Sequence, residues 1–200
     1  MKHAAIIVAS VHGQTRKIAE YLCQRLQSYG MTAEVFATEA GHLRPVPLAN
    51  FDAVIIGAPV YAGNFPMVIE NWTRNNLQAI QAKPCAFFSV SLNAADKRPE
   101  ARTAEARLLH QFMERTGLKP DFIASFAGAL HYSRYNFFIR WIMKRISAAA
   151  GGPTDTSRDH ELTDWNQIAA FAEAFANQDH RSSFSTQSRL QSPEHLLTPV

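Results

Sequence analysis

The stretch that most constrains this chain is Ala4-Ala5-Ile6-Ile7-Val8-Ala9, an uninterrupted apolar run that stops in the loop Ser10-Val11-His12-Gly13-Gln14-Thr15 and restarts as an amphipathic pattern. A strand without polar alternation must be covered on both faces, as in the centre of a parallel sheet flanked by helices. Phe51-Asp52-Ala53-Val54-Ile55-Ile56-Gly57 and residues 84–90 repeat the pattern. Ile18, Leu22 and Leu26 recur at helical spacing, as do Ile69, Trp72, Asn76, Leu77 and Ile80, which predict a single helix. Ala104, Leu108, Leu109, Phe112 and Met113 outline the buried stripe of another, ended by Gly117.

Residues 32–36 read as a short second strand and residues 121–130 as a fifth. Residues 41–50, with Pro45 and Pro47, read as a loop or broken crossover. The last helix starts at Thr163-Asp164 and continues through Trp165, Ile168, Ala169, Ala172 and Phe175. Strands alternating with helices predict an α/β fold, a doubly wound five-stranded parallel sheet. Two hundred residues, 46% hydrophobic and 18% charged, suit one domain over 1–176. Residues 177–200, rich in Ser, Gln, Thr and Pro, carry no apolar period and are expected to be unstructured. Cys23 and Cys85 fall within helical and strand patterns; without a secretory pattern at Met1-Lys2-His3 they are expected as reduced, buried thiols of a cytosolic protein.

Three loops follow three of the strands, and in such a sheet ligands bind beyond the strands' carboxyl ends. In the first, Ser10, Gly13 and Thr15 place two hydroxyls and a conformationally free residue where a helix presents unpaired N–H groups, a setting that favours a phosphate. No Lys follows the glycine, as a nucleotide-triphosphate loop requires, and G-x-G-x-x-G is absent. A single terminal phosphate, as in FMN, fits better, the alternative being an ordinary capped turn. Pro59, Val60, Tyr61, Ala62 and Gly63 form a second loop suited to a flat ring, and Ser89, Val90, Ser91, Leu92 and Asn93 a third suited to its other edge. No metal site is expected.

This arrangement resembles the flavodoxin fold, which implies strand order 2-1-3-4-5 and FMN as cofactor. The residues Gly57 to Asn64, of form G-x-P-x-x-x-G-N, are similar to loops of flavodoxin-like quinone reductases. Gly128-Ala129-Leu130-His131-Tyr132-Ser133-Arg134-Tyr135, Met143-Lys144, Gly151-Gly152, Thr154-Asp155-Thr156 and Thr163-Asp164-Trp165 resemble the menaquinone-dependent protoporphyrinogen IX dehydrogenases. Gly13-Gln14-Thr15-Arg16 and the run from Arg98 to Thr103 match that family, while Val11, His12 and Tyr61 depart from it. The resemblance implies oxidation of protoporphyrinogen IX in haem biosynthesis, with electrons passed to a membrane quinone, menaquinone or ubiquinone. The flavin carries the redox chemistry, so no protein nucleophile or general base is assigned.

Residues 131–150 form an insertion longer than the fold's connection needs. At 100° per residue, Tyr135, Phe138, Ile139, Ile142 and Ile146 cluster opposite Asn136, Arg140, Lys144 and Ser147, with Trp141 flanking. Arg134, Arg140, Lys144 and Arg145 contribute four positive charges to a chain of net +3, so the basic character resides here. Such a helix, with Tyr132 at its start, suits a membrane interface, and its cations suit a substrate's propionates, the alternative being a helix packed on its own domain with its cations solvated. The expected location is therefore cytoplasmic, peripherally attached to the inner membrane. One short basic segment is too small a footprint for nucleic acid. The rival readings are an NAD(P)H:quinone reductase, an electron-carrier flavodoxin and a flavin-free docking module.

Overall fold

The computed structural model describes residues 1–38, 43–130, 155–157 and 159–180. Five strands, β1 (Lys2–Ala9), β2 (Met31–Thr38), β3 (Ala53–Pro59), β4 (Cys85–Ser91) and β5 (Phe122–Ala127), form one parallel sheet in the order β2-β1-β3-β4-β5, as the resemblance implied. Helix α1 (Gln14–Ser28) follows β1. Helices α2 (Met67–Asn75) and α3 (Leu77–Gln81) lie between β3 and β4, α4 (Pro99–Thr116) precedes β5, and α5 (Trp165–Ala176) closes the fold.

Alternation along β1 divides the core. Ala4, Ile6 and Val8 face α1 and α5, while Ala5, Ile7 and Ala9 face the layer of α2, α3 and α4. All six are buried, which explains why the run contains no polar residue. Register between neighbours, Ile6 beside both Val35 and Ile55, and Ser89 beside Ser125, brings the ends of β1, β3 and β4 to one rim.

Three departures from the sequence reading have physical causes. The helix expected across 69–80 is two helices, because Asn76 leaves the helical region at φ −113°, ψ 10° and its side-chain amide donates to the Trp72 carbonyl. Ala104 is exposed and Glu105 takes the buried position beside Ala101 and Phe112, its carboxylate being satisfied by serines of β4. The strand expected across 121–130 stops at Gly128, beyond which β6 (Ala129–Leu130) pairs antiparallel with β7 (His160–Glu161).

The last helix begins where Asp164 accepts from the N–H groups of Asn166 and Gln167 at 2.9 and 3.3 Å. It runs into a 3-10 turn at Asn177–His180; residues 181–200 lie outside the described residues. So does the insertion expected over 131–150, with Tyr132, Arg134, Tyr135, Phe138, Arg140, Trp141, Lys144 and Arg145. Cys23 and Cys85 are free thiols, Cys85 buried and Cys23 partly so. Among the described residues, no helix is long and apolar enough to cross a membrane.

Candidate functional site

The three loops meet at the carboxyl rim. In the first, Gly13 adopts φ +92° as the N-cap of α1, a left-handed conformation that a residue with a Cβ enters only with strain. Having no side chain, it supplies no cap of its own, and no acidic residue stands in the first turn. Ser10 is buried and its Oγ accepts from Arg16 N at 3.2 Å, so the hydroxyl retains its own hydrogen to donate. Thr15, also buried, makes no side-chain hydrogen bond among the described residues. The amides of Gln14 and Thr15, two hydroxyls and the positive end of a 15-residue helix dipole form a donor set that fits a phosphate monoester.

Gln14 is turned elsewhere. Its side-chain amide donates to Thr163 Oγ1 at 2.8 Å and Glu161 Oε1 at 3.2 Å, tying the start of α1 to the β6–β7 arm. Lys17 reinforces the tie, reaching Glu161 Oε2 at 2.8 Å while its Nζ lies 5.0 Å from the Trp165 ring centre. Val11 is exposed, and His12 meets Tyr61 of the second loop edge-on, centroids 5.6 Å apart.

That second loop is a tight hairpin. Tyr61 and Asn64 exchange both backbone hydrogen bonds at 2.9 Å around Ala62 and Gly63, whose φ values of +47° and +75° are those of a type I′ turn. Pro59 is the last residue of β3, and Val60 N donates to Val90 O at 2.8 Å, fixing this loop to the third. Tyr61 is thereby held at the surface with its ring exposed.

In the third loop the serine side chains are occupied by a residue of α4. Ser89 Oγ donates to Glu105 Oε1 at 2.5 Å and Ser91 Oγ to Oε2 at 2.7 Å, while Ser91 accepts from Ala94 N at 3.1 Å. Ser125 Oγ lies 2.9 Å from Ser89 and can return a bond to it. Val90 is buried, whereas Leu92 and Asn93 are partly exposed. Beyond them Arg98 grips Asp96, with Nε and Nη2 at 3.0 and 2.6 Å from Oδ2, and these hydrogen bonds hold the Asp96 carboxyl below the usual carboxylate range.

A stripe drawn through Ala104 passes over Glu105; helical spacing through Ala101, Phe112 and Thr116 is the signal that could have found it. Among the described residues, no group of three or more His, Cys, Asp or Glu is placed to hold a metal ion.

Residues 5–157 match the family model of the flavodoxin domain. The protoporphyrinogen IX dehydrogenase [quinone] of Escherichia coli strain K12 is 34% identical over 173 residues, 86% of this chain and 93% of that protein. The protein of the same name from Leishmania major is 30% identical over 173 residues, covering 86% of this chain and 73% of that one. Among solved structures, the flavodoxin, WrbA-like protein of Agrobacterium tumefaciens superposes with a TM-score of 0.51 at 15% identity, over 90% of this chain and 99% of that one, a likeness of fold alone.

Proposed function

The chain belongs to the flavodoxin-domain family and, within it, groups with the quinone-linked protoporphyrinogen IX dehydrogenases, and on that premise we propose that it is an FMN-dependent enzyme oxidising protoporphyrinogen IX to protoporphyrin IX. The observation that carries this reading is 34% identity across 86% of the chain, with the phosphate-suited cradle at the head of α1. FMN, when bound, supplies two-electron exchange between a reduced tetrapyrrole and a quinone.

The protein's part is to hold and shield. Ser10, the amides from Val11 to Thr15 and the Thr15 hydroxyl would hold the phosphate. Pro59, Val60, Tyr61, Ala62 and Gly63 would flank the ring from one loop, and residues 89–93 from the other. Each withdrawal of two electrons and two protons from the porphyrinogen is matched by reduction of one quinone to its quinol. The acceptor dissolves in lipid, so the enzyme has to reach a bilayer.

The basic aromatic segment at 131–150 supplies that contact. Four cations near an anionic leaflet contribute on the order of 1 kcal/mol each, enough for reversible attachment once apolar contacts are added. On this reading the enzyme works at the cytoplasmic face of the inner membrane.

Anaerobic turnover with protoporphyrinogen IX and a menaquinone analogue, read by porphyrin fluorescence, tests the proposal. Porphyrin appearing in step with quinol is the expected outcome. Rapid reduction of the bound flavin by NADPH, with no porphyrin formed, would overturn it in favour of a general quinone reductase.

A further inference from the structure

On the outer side of the third loop, between that loop, α4 and β5, a cleft of about 320 Å³ is lined by chemistry that the phosphate cradle does not use. Its apolar walls come from Ala94, Ala106 and Leu109, and the buried acids Asp96 and Glu105 are among its lining residues. Lys97 and Arg102 stand exposed at its rim. The volume is at the lower end of small-molecule pockets.

The charges here are differently committed. Arg98 is neutralised by Asp96, but Lys97 and Arg102 make no ion pair among the described residues. Glu105 is 5% exposed, and each of its oxygens accepts one serine hydroxyl, which leaves each a second acceptor position. A ligand for this cleft therefore has an N–H donor for the interior, a flat apolar body for the walls and an anion for the rim. A pyrrole carrying a carboxyethyl arm combines all three.

We propose that this cleft is the substrate-edge subsite, in which Glu105 accepts the N–H of one pyrrole of the tetrapyrrole and Lys97 and Arg102 hold its propionates. The inference rests on the reaction assigned above and names the residues that orient that substrate. It also gives the third loop two working sides. The macrocycle, anchored by one edge in the cleft, extends across Leu92 and Asn93 toward the cofactor side.

The test uses FMN-loaded enzyme carrying Lys97→Ala with Arg102→Ala, two exposed positions whose replacement leaves the core intact. The KM for protoporphyrinogen IX is expected to rise roughly ten-fold, the loss of two charge-assisted contacts, with kcat, FMN affinity and quinone KM within about two-fold. Fluorescence titration supplies a readout independent of turnover. The unaltered protein should bind protoporphyrin IX more tightly than its dimethyl ester, and the double variant should lose that preference, regained with Lys97→Arg and Arg102→Lys.

An unchanged KM together with an unchanged acid-over-ester preference would remove the cleft from the substrate's path while leaving the assigned reaction standing. Absence of porphyrin formation by the unaltered holoenzyme would instead remove the assigned reaction, and this inference with it.

Discussion

Glu105 shows what a single buried charge does to this fold. Replacing it with Leu removes the acceptor of the Ser89 and Ser91 hydroxyls and leaves them buried without it, at a cost of about 2 to 4 kcal/mol. Adding Ser89→Ala and Ser91→Ala should return part of that loss, because the two hydroxyls left without Glu105 are gone, while Ala94 N and Ser125 then lose their serine partners. The difference between single and combined variants in urea unfolding measures the coupling. Cys85 gives a second prediction at this scale, set by pH. Burial, aided by the Asp121 carboxylate, pushes its thiol from an ordinary value near 9 up to about 11. Between those values the unfolded chain has released the proton that the folded chain keeps, so stability is full below pH 9 and falls as pH rises toward 11. The decline in urea midpoint between pH 8.5 and 10.5 should be shallower in Cys85→Ala than in the unaltered protein; equal slopes would show the thiol to be uninvolved. Ser10, Gly13 and Thr15 were legible as a candidate cradle because one short loop contains them all. The clamp on Glu105 was not, since its partners lie 14 and 16 residues away on a strand and only the fold brings them together.

Among the elements, the buried strands could be read from sequence almost residue by residue, because a strand covered on two faces permits no polar position. The pair β6 and β7 could not: two residues each, they are defined by pairing across about thirty residues of chain rather than by any local pattern. The split between α2 and α3 was hidden for a related reason, as the apolar spacing continues across Asn76 while the backbone does not. Packing between β3 and β4 rests on a close approach. A Cβ built at Gly57 would lie 2.1 Å from Cζ of Phe88, whose ring occupies that space in the core. Gly57→Ala is therefore expected to destabilise by about 1 to 3 kcal/mol, through displacement of the ring. Phe88→Leu introduced into the Gly57→Ala protein should recover part of the loss, although Phe88→Leu alone destabilises. Thermal unfolding of the four proteins checks this, and strictly additive effects would refute the steric explanation.

At the scale of the whole molecule, strand order converts local features into one site. Because β1 lies between β2 and β3, the connection after it turns one way while those after β3 and β4 turn the other, and in open parallel sheets ligands bind where the connections part. The helix that offers its N-terminus there is tied through Gln14 and Lys17 to the β6–β7 arm. A ligand that joins the first loop to the second and third then links both layers of the core, and should stabilise the folded chain as a unit. With FMN free at about 100 times its dissociation constant, the added stability is about 2.7 kcal/mol, or roughly 5 to 10 °C in Tm for a domain of this size. Riboflavin has the same ring without the phosphate, so at equal concentration it should raise Tm by much less. Gly13→Ala, strained at φ +92°, should weaken the response to FMN while leaving the response to riboflavin nearly as it was. Equal Tm shifts with the two flavins would mean that the ring alone is recognised, and the head of α1 would then have no part in binding.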